Sequence, residues 1–333
     1  SDKKLLTPFG VFYGITTDPK MGFGFGVYTS AGSHAQFDDV TINSRTGNTV
    51  KTDLRMIEAA LGAGYKVMPG LRIGVAYRVL MTDGSFAFVQ RAGATTALNA
   101  EVNDLKGVNA MSYKIGAEYD LSENTKLGLS YRSQSDLDLK GKFGGALRTA
   151  GGTIALDEND ATVKTTLPQA LTLGVLQKFG ASWNAYGEYV WTQYSRVEHV
   201  TLDGSITRGG GATTVAADAP DLEQGWHDQH QVKLAGEYLG FHMPIRFGYI
   251  WTSQVTNDDQ ARASFTAPGN AHTVTLGSAY AFNEKMSLDG ALDYTTVKGE
   301  GNGAAAGSLS GDIRQGEHTT TAYALHLGFS YAF

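Results

Sequence analysis

The chain has 333 residues, 42 of them Gly and none Cys, and carries a formal net charge of −6 at pH 7. The lack of cysteine removes disulfide frameworks and thiolate catalysis, and is compatible with a chain that crosses an oxidising compartment. The mild acidity offers no basic stripe for nucleic acid, and no run of about 18 apolar residues is present to span a membrane as a helix.

The remaining signal is alternation. Successive side chains on a strand point to opposite faces. Phe9, Val11, Tyr13 and Ile15 alternate with Gly10, Phe12 and Gly14. An Asp18-Pro19-Lys20 turn then leads to Met21, Phe23, Phe25 and Val27, spaced by Gly22, Gly24 and Gly26. Leu71, Ile73, Val75 and Tyr77 oppose Arg72, Gly74, Ala76 and Arg78. The pattern recurs in 111–120, 126–132, 169–179, 183–193, 230–240, 245–252, 272–282 and 286–295. It ends on Tyr323, Leu325, Leu327, Phe329, Tyr331 and Phe333, spaced by Ala324, His326, Gly328, Ser330 and Ala332. One oily face and one small or polar face, over about ten residues, is what a tilted transmembrane β-strand needs. An aromatic carboxy-terminal residue on such a strand resembles the sorting signal of bacterial outer-membrane barrels.

Connections come in two alternating sizes. Short ones fall at 18–20, 68–70, 121–125, 180–182, 241–244 and 283–285. Long ones fall near 31–52, 83–107, 143–160, 204–225, 257–270 and 297–317, rich in Gly, Thr, Asp and Asn. Short periplasmic turns alternating with long extracellular loops are a barrel trait. The expected fold is therefore an all-β transmembrane antiparallel barrel over 1–333, with about thirteen strands and no separate soluble domain. An odd count leaves an unpaired edge, and an edge cannot face lipid without a cost of several kcal/mol per backbone group. An absent amino-terminal strand, a larger contribution from residues 1–6 (which lie outside the described residues), or a seam closed in parallel or between subunits would each account for it.

The faces sort the functional candidates. Arg72, Arg78, Lys114, Glu118, Arg132, Glu188, Lys233, Glu237 and Arg246, with Asp289 and Asp293, fall on the inward faces. Mixed signs favour cross-strand ion pairs, and inward cations also suit a ligand carboxylate. Tyr13, Trp183, Tyr189, Trp191, Trp251, Tyr331 and Phe333 fall on outward faces and suit membrane-interface girdles. Phe86, Phe88, Val89 and Leu98 lie in an expected extracellular loop, where apolar residues must pack or bind something. The His residues lack zinc spacing, the acidic runs 157–160 and 257–259 lack a full calcium-loop pattern, and no nucleophile elbow occurs. No enzyme, cofactor or metal is expected.

Several segments together resemble the FadL family of outer-membrane long-chain fatty acid transporters. They are Pro8-Phe9-Gly10 with the Asp18-Pro19-Lys20 turn, the Gly22 to Gly26 alternation, the Asn124 to Ser133 stretch with its Tyr-Arg-Ser, Leu167-Pro168, Trp191-Thr192-Gln193-Tyr194-Ser195, and the Tyr331-Ala332-Phe333 end. The resemblance covers nearly the whole chain in order. It implies a fourteen-stranded monomeric barrel plugged by an amino-terminal hatch with an Asn-Pro-Ala motif. Ligand would enter from outside, bind beside the hatch and leave through a gap in the wall. Asn-Pro-Ala occurs nowhere in this sequence. By the resemblance the hatch and first strand are expected to be absent, which accounts for the odd count.

The family's wall gap follows a Gly just after the top of a kinked strand. The matching stretch is Ser30-Ala31-Gly32-Ser33-His34. Gly32 tolerates angles that open a wall, and it equally serves as ordinary turn punctuation. The resemblance implies passive uptake of hydrophobic molecules, fatty acids or lipids, across the bacterial outer membrane. Two alternatives stand beside it. One is a hatchless homo-oligomer that covers its seam and holds lipid or serves a structural role. The other is a porin-like channel for polar solutes.

Overall fold

Alternating segments bury no core of their own, so they gain stability by pairing edge to edge into a closed wall. A computed structural model of the protein describes residues 7–92, 95–208, 213–215, 222–259, 261, 268–301 and 316–333. Within them nineteen strand segments form one sheet. In chain order they are β1 (Gly10–Asp18), β2 (Met21–Ile42), β3 (Arg45–Met68), β4 (Leu71–Arg91), β5 (Ala97–Asp120), β6 (Thr125–Arg132), β7 (Ser135–Thr149), β8 (Gly152–Leu167), β9 (Ala170–Phe179) and β10 (Trp183–Thr192). There follow β11 (His199–Gly204), β12 (Ile206–Arg208), β13 (Thr213–Val215), β14 (Leu222–Glu223), β15 (Gln229–Tyr238), β16 (Ile245–Thr252), β17 (Asn270–Asn283), β18 (Met286–Gly301) and β19 (Gly316–Tyr331). One 3-10 turn spans Tyr194–Arg196.

These segments make thirteen staves, as the alternation predicts. β6 and β7 are one stave, since β5 pairs with both. β8 and β9 are another, pairing with β7 and β6 in turn. Every pairing is antiparallel, and β10 joins β9 to β15 across the middle of the wall. All six short turns fall where expected. Asp18 closes the first, its Oδ1 accepting from the N–H groups of Lys20 at 2.6 Å and Met21 at 3.1 Å. Asn283 closes the last in the same way, accepting from Lys285 and Met286 at 2.9 Å each.

The predicted loops 31–52, 83–107 and 143–160 need correction. They are not loops but long hairpins that continue β2–β3, β4–β5 and β7–β8 beyond the membrane. Parts of 204–225, 257–270 and 297–317 lie outside the described residues. The extended hairpins curl together and reverse the polarity of the wall. Their inner face is apolar, with Phe86, Phe88, Leu98, Val102, Leu137, Leu139, Phe143, Val163 and Leu202 packed in one buried cluster. Their outer face carries charges such as Lys142, bonded to Asp160 at 2.7 Å. Phe86, Phe88 and Leu98 are thus core residues of the barrel mouth. Val89 packs with Ile42, Val50 and Ala97 in a second cluster near the hairpin tips.

Below this level the wall has the membrane polarity. Leu61, Val75, Leu129, Leu234, Leu276 and Leu327 stand exposed on the outside, opposite an inner face of Gly and Ala. The two end staves, β1 and β19, each have one partner among the described residues, β2 and β18 respectively. Strand direction alternates at every turn, so both run towards the short-turn end.

Candidate functional site

The site is built where β1 ends. The β1–β2 ladder runs from Asp18↔Met21 to Gly10↔Tyr28. One more bond, Thr29 N–H to the Phe9 carbonyl at 2.9 Å, closes it. From Ser30 to Ile42, β2 pairs only with β3 among the described residues. At the same point the β2–β3 register slips: Thr29 faces Ile57 and Ala31 faces Met56, leaving Ser30 as an extra residue. An extra residue bends a strand and re-aims its side chains. The predicted wall segment therefore contains a bulge at an unpaired edge.

The individual residues of that segment play different parts. Ser30 makes the bulge. Ala31 packs against the mouth core. Gly32 faces Arg55 in a regular register and has no positive φ. A Cβ there would come 3.2 Å from the Leu54 carbonyl oxygen, so a side chain fits only tightly. Ser33 continues the ladder opposite Leu54. His34 Nδ1 lies 3.4 Å from an Asp53 oxygen.

Directly behind this edge lies a buried ion pair that sequence reading only half found. Arg78 on β4 and Glu58 on β3 are each 2% exposed. Arg78 grips Glu58 with two bonds, Nε to Oε1 at 2.7 Å and Nη2 to Oε2 at 2.6 Å. The Tyr28 hydroxyl donates to Glu58 Oε1 as well. A fork of this kind is the strongest geometry an Arg–carboxylate pair offers. Glu58 has the inward parity of Ala60, Gly62 and Gly64, and that signal could have found it. Arg78 Nη1 has no partner among the described residues.

The other inward charges mostly pair across strands. Arg72 reaches Glu118 at 2.5 Å and Asp120 at 2.9 Å, with Lys126 completing the group. Lys233 meets Glu188 at 2.7 Å. Arg246 bridges Glu237 and Asp289 at 2.8 Å each. Asp293 meets His326 at 2.7 Å. Two of the predicted lumen charges are different. Lys114 and Arg132 stand directly opposite each other on β5 and β6. Neither makes an ion pair among the described residues. Arg132 donates from Nη2 to the Pro168 carbonyl at 3.2 Å, and its Nε is buried without a partner.

The predicted outward aromatics fall at both ends of the wall. Trp183 packs against Tyr238 in a tilted pair, ring centroids 4.7 Å apart, beside a short turn. Tyr331 and Phe333 meet edge to face at 5.1 Å near the same end. At the opposite end, Tyr189 bonds His230 at 2.7 Å and Trp191 Nε1 donates to Asp228 at 2.9 Å. Trp251 sits opposite His272 on β17. Tyr13, on β1, lies 6.1 Å from the Phe333 ring across the seam. Outside the strands, Asp228 also accepts the Ser195 N–H at 3.1 Å. Burial disfavours its charge, but the Ser195 and Trp191 donors outweigh that and hold the carboxyl below its usual range.

Comparison with known proteins decides the family. The family described as Outer membrane protein transport protein (OMPP1/FadL/TodX) matches residues 2–333. The chain belongs to this family. It is 22% identical over 360 residues to Outer membrane protein P1 of Haemophilus influenzae, covering 96% of this chain and 74% of that one. It is equally 22% identical over 351 residues to the Long-chain fatty acid transport protein of Escherichia coli O6:H1, covering 94% and 74%. The fold matches the Pseudomonas putida toluene transporter TodX with a TM-score of 0.73 at 16% identity, covering 97% of this chain and 82% of that one. A Pseudomonas aeruginosa FadL homologue matches with a TM-score of 0.72 at 15% identity, covering 97% and 77%. As a member of the OMPP1/FadL/TodX family, the chain is an outer-membrane β-barrel of a family that transports hydrophobic compounds.

Proposed function

We propose that this barrel takes up hydrophobic molecules passively and releases them sideways, through the wall beside Ser30–His34. The observation that carries this reading is the β2 edge, bulged at Ser30 and, among the described residues, without a β1 partner above Thr29. The apolar mouth supports it, because side chains such as Phe88 and Leu105 fill the inner face where a polar-solute channel would hold water. The outward aromatics serve as the interface girdles that hold the wall in the bilayer. No catalytic role is read from the lumen.

Deleting Ser30 tests the reading. It removes the extra residue and lets β2 and β3 pair in one register. Uptake of a labelled long-chain fatty acid by cells should fall severalfold, while heat-modifiable gel mobility still reports a folded barrel. Unchanged uptake through a folded variant would sink the wall-exit mechanism.

One further observation favours the oligomeric, lipid-holding reading. β1 and β19 have no ladder between them among the described residues. A neighbouring subunit that covers this seam would give intermolecular contact at Tyr13 and Phe333.

A further inference from the structure

The outward face carries the same small arrangement twice. On β10, Tyr189-Val190-Trp191 lies against β15, with His230 directly opposite Trp191. On β16, Tyr249-Ile250-Trp251 lies against β17, with His272 directly opposite Trp251. In each, the Tyr hydroxyl meets the imidazole Nδ1 at 2.7 Å, and the two ring centroids are 6.1 Å apart. His230 shares the outward parity of Val232 and Leu234, and His272 that of Val274 and Leu276; both rings are exposed. Asp228 and Asn270 follow at the next outward positions above them. The rings therefore stand at the upper rim of the apolar band.

The Tyr hydroxyl fixes how each ring points. A hydroxyl that donates to Nδ1 leaves the proton of the neutral ring on Nε2, and a protonated ring donates from both nitrogens. In either state an Nε2–H is turned away from the Tyr, and neither Nε2 bonds a described residue. Beneath each pair the outer wall is hollowed. Gly187 holds the outward position next below Tyr189, and a hollow of about 630 Å³ opens over it between Leu173, Val175, Tyr189 and Val232. Gly236 holds the outward position next below Leu234, and a hollow of about 580 Å³ runs from Tyr249 past Phe247 to Trp183. Apolar side chains line both. An interface girdle needs only aromatic rings. An oriented donor above an apolar hollow, built twice, is a head-and-tail site.

We infer that the two modules bind phosphorylated lipids of the outer leaflet, with the phosphate at the imidazole Nε2–H and an acyl chain in the hollow beneath. The occupant follows from position. The rings face the bilayer at the height of the head groups, and the hollows below them meet only tails. A phosphate brings acceptor oxygens and negative charge, and an imidazole N–H gives it a charge-assisted bond. The surroundings rank the two modules. The Asp228 carboxylate stands beside the first, bonded to Trp191 Nε1 at 2.9 Å, and opposes an anion. At the second, Trp251 Nε1 bonds no described residue and is a further donor. Lys298 lies diagonal to His272 across β17 and β18 and adds positive charge, shared with Glu317 at 3.2 Å. The His272 module is therefore the tighter. All of this lies on β10 and β15–β18, away from the β2 edge that carries the uptake reading.

Native mass spectrometry of the barrel in detergent tests this, with phosphatidic acid and diacylglycerol of identical acyl chains as probes. The unaltered barrel should retain phosphatidic acid about tenfold more strongly than diacylglycerol. His272→Phe keeps an aromatic ring in the girdle and removes the donor, and should abolish the tighter site. His230→Phe should abolish only the weaker one, and the double variant should hold the two lipids equally. Heat-modifiable gel mobility reports that each variant is folded. Equal retention of the two lipids by the unaltered barrel overturns the inference. So does a preference for phosphatidic acid that survives in the folded double variant, because the phosphate would then sit elsewhere. A larger loss from His230→Phe than from His272→Phe overturns the ranking of the modules.

Discussion

The Glu58–Arg78 pair is the residue on which the wall behind Ser30 depends. Both groups are out of water, so removing one leaves the other charged and buried. Glu58→Gln should destabilise the barrel by about 3 to 5 kcal/mol, measured by urea unfolding in lipid vesicles. A loss below about 1 kcal/mol would mean that water reaches Arg78. The Tyr28 hydroxyl would lose its charged acceptor in the same step. Sequence parity assigns Arg78, Lys114 and Arg132 to the inward face, because each follows the parity of neighbouring Gly and Ala. It missed Glu58, which sits in Met56-Ile57-Glu58-Ala59-Ala60, where both faces are apolar around it. It also had no means to tell which charges pair. That depends on register, and the register places Glu188 against Lys233 but Lys114 against Arg132.

At the scale of elements, the thirteen staves and six short turns were legible because lipid forces one face to be apolar. The extended hairpins were not, for a physical reason visible at β6–β7. Leu127, Leu129 and Tyr131 face outward, whereas Leu137 and Leu139 face the buried mouth core, although all are odd-numbered. The stave breaks at Ser133–Gln134, and the inward parity changes there. Above the break the inner face is also the apolar one. The two changes cancel, so the alternation runs on unbroken through a reversal of the wall. The outer connections carry their own polar anchors. Asp228, just before β15, ties Trp191 to Ser195 with bonds of 2.9 and 3.1 Å. Its folded-state carboxyl titrates lower than in an unfolded chain. The stability it adds is therefore complete above the unfolded value of about 3.9 and is lost as pH falls through the lower folded value. The Trp191 indole N–H resonance should hold its position down to about pH 4 and shift below it. An Asp228→Asn variant should show no such step, and a step that persists in it would assign the titration elsewhere.

At the scale of the whole molecule the seam sets the remaining constraint. β1 and β19 run in the same direction, so they cannot join by the antiparallel ladder used everywhere else in the wall. An uncovered edge would leave a row of amides in lipid, at several kcal/mol each. Either the two edges pair in parallel, or another strand, running the opposite way, lies between them, or a neighbouring subunit covers both. The Tyr13 and Phe333 rings, 6.1 Å apart, bring the two edges together at one level within a single chain. The chain has no cysteine, so Tyr13→Cys with Phe333→Cys introduces a unique thiol pair. A short bismaleimide applied to cells should give an intramolecular product, seen as a monomer of altered gel mobility. A covalent dimer as the main product would instead place a second subunit at the seam, and would favour the lipid-holding assembly over a self-contained transporter. The wall-exit reading gains from the first outcome for a structural reason. If the end staves meet within one chain at the level of Tyr13 and Phe333, no second subunit is needed there, as the proposed exit beside Ser30 requires.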